Sequence, residues 1–163
     1  LAPGLPVGSM TASQPIILSD SAVFEAEIAA NNAADLLSST STFHADGTLA
    51  VAFVNGFNPA TYWSATVVTA GQGVTGAFDS IDAPQPADNR LEFRVIYGPT
   101  QIRIGAFCKG DTNADGLLNF FDISTFLTDF NEGSPNADIA APFGALNFFD
   151  IAAFLDRYSQ GCP

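Results

Sequence analysis

The residues best able to do chemistry lie at positions 111–122, D-T-N-A-D-G-L-L-N-F-F-D. Counting Asp111 as position 1 puts Asn113 at 3, Asp115 at 5, Gly116 at 6, Leu117 at 7, Asn119 at 9 and Asp122 at 12. Alternate residues of a tight turn aim their side chains inward, and every inward position here carries an oxygen donor. A hard cation of calcium's size takes six to eight such oxygens, and this spacing supplies them. The Leu117 backbone carbonyl serves position 7, and Gly116 permits the sharp turn. Asn119 binds through water or orients its neighbours. Asp122 closes the cage from the first turn of a helix, where its charge also suits the dipole. The plainer alternative is a solvated Asn/Asp/Gly turn, but the full set of donors followed by a helix favours calcium.

The loop has a second, altered copy. LNFFDI at 118–123 returns at 146–151. The matching loop, Asp138 to Asp150, is one residue longer and keeps only Asp138, Asn147 and Asp150 as side-chain donors. Ala140 and Pro142 replace the donors at positions 3 and 5. Two readings stay open: backbone carbonyls complete a weaker second site, or Pro142 and Phe143 fill the space and the loop is metal-free.

Each loop needs a helix to hold its last ligand. Ile123, Phe126, Leu127 and Phe130 follow i, i+3, i+4, i+7, one face of a helix, and Ile151, Phe154, Leu155 and Tyr158 repeat it. Phe120 falls on that buried stripe and is expected in the core. Phe121 shares a face with Ser124, Thr125 and Thr128, and Phe149 with Ala152, Ala153 and Asp156, so both are candidate contact anchors. Upstream, residues 16–107 show period-two alternation: Phe24, Ala26 and Ile28 against Glu25 and Glu27, and Leu91, Phe93, Val95 and Tyr97 against Glu92 and Arg94. Turn signals such as Asp46-Gly47, Asn55-Gly56 and Gly71-Gln72-Gly73 separate the runs. The expected fold is a mainly β domain, an antiparallel β-sandwich over 16–107, with an extended arm at 1–15 and a small helical domain at 108–163. A fragment of a β-helix is the second architecture that fits.

The pattern D-x-N-x-D-G-x-L-N-x-x-D, doubled and closed by Gly161-Cys162-Pro163, resembles type I dockerins, small α-helical modules with EF-hand-like loops found in bacterial secreted proteins. The resemblance covers about residues 108–163. It implies calcium binding and docking onto β-sandwich partners called cohesins. It also implies partner contacts at loop positions 10 and 11, here Phe120, Phe121, Phe148 and Phe149; the competing reading packs both Phe pairs in the module's own core. The segments DGTLAVAFVNGF, ATVVTAGQGVTGAFDSI and LEFRVIYGPTQIRI resemble strand-rich regions of autotransporter-type secreted proteins, which implies a structural role for residues 35–107. Cys108 precedes the first loop and Cys162 follows the second helix. A paired EF-like unit brings these ends together, so a disulfide would clasp it; two free buried thiols are the alternative.

Composition narrows the function classes. Among 163 residues, 17 Asp and Glu against 5 Lys and Arg give a net charge of -12, which repels nucleic acid and anionic membranes and welcomes a cation. With 15 Phe and 47% hydrophobic residues the chain can build a core, yet no apolar run is long enough to span a bilayer. The start at Leu1 fits a mature secreted chain and equally a cut fragment, and the paired cysteines favour an oxidising, extracellular setting. His44 near Asp46, the Glu25–Glu27 pair and the Tyr62-Trp63 pair are the residues a catalytic or sugar-binding reading would use, but no nucleophile motif accompanies His44. The expected function is therefore non-catalytic assembly. The calcium-stabilised module docks onto a β domain of another copy and builds a filament. The alternatives are an adaptor held by a separate cohesin-like protein and a carbohydrate-binding module fused to a dockerin.

Overall fold

A computed structural model describes residues 1–4, 7–30 and 33–163. The chain divides into two compact units, Leu1–Ala87 with Phe93–Ala106, and Asp88–Glu92 with Phe107–Pro163.

The first unit is a stack of rungs. Strands β1 (Ser9–Ala12), β2 (Ile16–Ile17) and β3 (Val23–Ile28) form the first rung. Above it lie β4 (Leu36–Ser39), β5 (Thr42–Ala45) and β6 (Thr48–Phe53), then β7 (Ser64–Ala70), β8 (Gly73–Gly76) and β9 (Ser80–Asp82). Each strand pairs in parallel with its counterpart one rung away, giving sheets β1-β4-β7, β2-β5-β8 and β3-β6-β9. Strands β10 (Leu91–Tyr97) and β11 (Gln101–Cys108) finish the first sheet, with β11 antiparallel to β7.

This arrangement overturns the expected antiparallel β-sandwich. Alternation reports only that one strand face is buried, and it is the same for parallel and antiparallel neighbours. The pairing of Ser9 with Leu36, then of Leu37 with Val68, shows rungs of 27 and 31 residues. Repeats so unequal leave little trace in one sequence. The Gly-rich turns are corners rather than hairpins. At Gly47, with φ near +69°, a Cβ would lie 2.4 Å from the Ala22 carbonyl oxygen of the rung below. Only glycine lets the corners stack so closely.

Inside the stack, like side chains sit above one another. Leu37, Val68 and Ile102 form one fully buried ladder and Phe24 and Leu49 another. Each such side chain stabilises the fold by about 1.5–3 kcal/mol relative to exposure. Asp35, also fully buried, ties the first two rungs together, accepting from the Gly8 N–H at 2.6 Å and the Glu27 N–H at 3.1 Å. The segment read as an extended arm packs on this stack: residues 9–12 are β1, and Leu1 exchanges backbone hydrogen bonds with Val23 and Glu25 on β3.

The second unit contains α1 (Phe120–Glu132), a 3-10 turn at Pro135–Ala137, and α2 (Phe148–Gln160). The chain as a whole is strand-rich, and these two α-helices, both at its C-terminal end, are the only ones among the described residues. The β-rich expectation therefore stands, whereas the expected α-helical dockerin-like domain gains no support from this architecture. The unit's core is narrow. Phe126 stacks on Phe154 with ring centroids 4.2 Å apart and planes 4° from parallel, and Ala137, Ile123, Phe130, Ile139, Leu146, Ile151 and Tyr158 close around them.

Candidate calcium loop and docking face

Both helices begin in the same way. Asn119 caps α1, its side chain accepting the Phe121 N–H at 2.7 Å, and Asn147 caps α2 by accepting the Phe149 N–H at 2.8 Å. Three residues into each box sits a fully buried carboxylate. Asp122 accepts from the N–H groups of Asn119 (2.8 Å), Thr112 (3.0 Å) and Asn113 (3.4 Å). Asp150 repeats this with Asn147 (2.8 Å), Ile139 and Ala140 (both 2.9 Å). Hydrogen bonds from Asn147, then Ala140 and Ile139, hold the Asp150 carboxyl below the usual carboxylate range, against the opposing effect of desolvation. The sequence gives Asp122 the role of closing a cage and Asp150 that of a remaining donor in the weaker second loop. The structure gives both a further one, fastening the start of each loop to the helix that follows it.

The first loop closes around these anchors. Buried Asp111 accepts from the Gly116 N–H at 3.0 Å, Asn113 Oδ1 from the Asp115 N–H at 2.9 Å, and Asp115 Oδ1 from the Leu117 N–H at 2.8 Å. The Asn119 amide donates to the Leu117 carbonyl at 3.2 Å. Ala114 and Gly116 take the positive φ angles, 57° and 88°, that turn the chain. The donors able to hold a cation are thus all oxygens on one loop: Asp111, Asn113, Asp115, the Leu117 carbonyl, Asn119 and Asp122. That set suits calcium rather than a softer metal. Among the described residues no three Asp, Glu, His or Cys side chains converge into a preformed cluster. Here the carboxylates face backbone N–H groups, each oxygen retaining further lone pairs.

The second loop keeps the frame and loses the donors. Asp138 Oδ2 accepts from the Gly144 N–H, as Asp111 does from Gly116, while Asp138 Oδ1 is buried with no hydrogen-bond partner. Ala140 stands where Asn113 would be, and Asp115 has given way to the Pro142-Phe143 pair. Phe143 does not fill the vacated space, because its side chain is 74% exposed. The weaker set Asp138, Asn147 and Asp150 is therefore brought together, but as a hydrogen-bonded turn.

The aromatic residues depart furthest from expectation. Phe120, Phe121, Phe148 and Phe149 are all between 61% and 73% exposed, and Leu117, Leu127, Phe143 and Leu155 are at least half exposed. Phe121 and Phe149 lie outside as expected. Phe120, expected in the core, does not reach it, nor do Leu127 and Leu155. The shared core is only as wide as the Phe126–Phe154 stack, so it accepts Ile123, Phe126 and Phe130 and leaves helix positions further round uncovered. Each helix is consequently apolar on two sides.

A disulfide joins Cys108 to Cys162, with the Cα atoms 5.5 Å apart, and clasps the first loop to the end of α2. Gly110 supports that junction, lying against Leu118, the backbone of Tyr158 and the Arg157 carbonyl. Arg90 is held by Asp88, at 2.7 Å, which pulls the Asp88 pKa down to about 2.

The other candidate residues are placed in the rungs. His44 on β5 shares a 3.0 Å hydrogen bond with Thr75 one rung away. Trp63 is half-buried and packs in an aromatic cluster with Phe53 and Phe57, ring centroids 6.4 and 5.0 Å away. Glu25 and Glu27 share the outer face of β3, beside a hollow of about 270 Å³ also lined by Ala2, Ala50 and Ala52. No helix among the described residues is long and apolar enough to cross a membrane. Neither any protein-family model nor any curated protein matches the chain.

Proposed function

We propose that this is an extracellular assembly protein in which the C-terminal unit docks the β-solenoid onto a protein partner. The observation that carries the reading is the outward set of four phenylalanines in two equivalent pairs, flanked by Leu117, Leu127, Phe143 and Leu155. A unit of this size seldom leaves so many large apolar groups in water unless a partner covers them. Calcium in the first loop stiffens the start of α1 and so fixes Phe120 and Phe121; the all-oxygen donor set and the loop's resemblance to dockerin repeats support that part. The disulfide supports an oxidising, extracellular setting.

Two acceptors are compatible with the reading: the β unit of another copy, which would build a filament, and a separate cohesin-like β protein, which would make the chain an adaptor. Light scattering and electron microscopy of the full chain in millimolar calcium, with hydroxyl-radical labelling of the same sample, test it. Polymers that vanish on Phe121→Asp with Phe149→Asp support docking between copies. A monomer whose four phenylalanines label readily supports a separate acceptor. A monomer in which they resist labelling removes the docking face altogether.

A further inference from the structure

The docking reading leaves open what chemistry the acceptor brings, and the charges beside the aromatic residues address that. On α1, Thr128 and Glu132 follow Phe121 along one outer line of the helix, and on α2 Asp156 and Gln160 follow Phe149 in the same way. Each line thus starts in an exposed phenylalanine and runs to an exposed acid. Glu132 and Asp129 occupy the last turn of α1, which contains no basic residue. An acid there faces the negative end of the helix dipole, so the position is unfavourable in the free chain. Among the described residues no lysine or arginine pairs with Asp129, Glu132 or Asp156; the Asp156 carboxylate accepts from the Gln160 amide, at 2.7 Å. Arg157, next to Asp156 in the last turn of α2, forms no ion pair with any of them.

We infer that the acceptor is a separate protein with an apolar pocket for the phenylalanine pairs and a basic rim for Glu132 and Asp156. Helix rise sets the rim roughly 16 Å along from the Phe121 pocket on α1 and roughly 10 Å from the Phe149 pocket on α2. Another copy of this chain does not meet that description. Its five basic residues are Arg90, Arg94, Arg103, Lys109 and Arg157. Arg90 is bound to Asp88, Lys109 to the Asn89 carbonyl and Arg103 to Ser64, while Arg157 lies next to Asp156 within the acidic second unit itself. The β unit keeps only Arg94 and Arg103 against seven acids, so bringing it to the acidic second unit opposes like charges.

The inference rests on the docking reading, and its test separates the two. A displayed library on one β-sandwich scaffold, with one face randomised, is panned against the full chain in calcium, with excess unlabelled Phe121→Asp/Phe149→Asp chain as competitor. Phe-dependent binders are expected to be enriched in Lys and Arg. Glu132→Lys with Asp156→Lys should weaken them at least tenfold, while Glu25→Lys with Asp82→Lys, the same change of net charge on the β unit, should stay within twofold. Equal losses from both pairs, or no loss from Glu132→Lys with Asp156→Lys, overturn the basic rim. Calcium-dependent polymers of the wild-type chain at 50 mM salt overturn the exclusion of a second copy. A library yielding no Phe-dependent binder overturns the docking reading itself, and this inference with it.

Discussion

Asp111 and Asp138 hold equivalent places in the two loops, and replacing each by alanine separates two roles that coincide in the wild type. Each carboxylate takes the N–H of the loop glycine, Gly116 or Gly144. Losing such a charge-assisted hydrogen bond costs about 1.5–3 kcal/mol, so in chelator both variants should lose comparable stability. Calcium should then divide them. At a free concentration a hundred times its dissociation constant, a single site adds about 2.7 kcal/mol. For a unit of this size that raises the melting temperature by roughly 10–20 °C. The wild type and Asp138→Ala should show the full rise, because the first loop retains its six donors. Asp111→Ala should show none, and calorimetric titration should find one calcium in the first two proteins and zero in the third. A calcium response that survives in Asp111→Ala refutes the ligand assignment. A response lost in Asp138→Ala shows that the second loop, despite Ala140 and Pro142, carries the site.

Two further outcomes follow from the same unit. The folded Asp150 pKa lies below the ordinary carboxylate value, so the stability this group contributes is complete above about pH 4 and is lost as pH falls through the folded value. Near- and far-ultraviolet circular dichroism between pH 5 and pH 2 should show the helices loosening only in that acid range, and melting already at pH 5 contradicts the assignment. Cys108→Ser with Cys162→Ser opens a closure spanning 54 residues and should cost roughly 4 kcal/mol on the chain-entropy model. Denaturant unfolding of the double variant checks it, and a loss below 1 kcal/mol means the loops and the stacked phenylalanines already hold the ends together.

Much of the second unit was legible because its signals are local. The D-x-N-x-D-G spacing and the helix period after it depend on neighbours a few residues away, and the doubled LNFFDI is a repeat close to identical. The predicted helices, the loop closed by Asp111 and Gly116, and the outward Phe121 and Phe149 came from such signals. Phe120 and Leu127 were misjudged for a different reason. Helical period assigns a face, whereas burial depends on how wide a neighbour lies against that face, and the core centred on the Phe126–Phe154 pair is narrow.

The sequence by itself determined that residues 16–107 carry strands with one buried face, that each LNFFDI copy leads into a helix, and that an acidic loop of oxygen donors stands before the first. Only the tertiary structure decided that the strands run parallel in stacked rungs. An alternating strand presents the same side-chain pattern to either kind of neighbour, and pairing between residues 27 or 31 apart leaves no mark on the residues themselves. It also decided that Asp122 and Asp150 fasten both loops through backbone N–H groups, and that the phenylalanine pairs face outward. Those outcomes depend on which surfaces meet, and a linear pattern carries no information about the width of a contact.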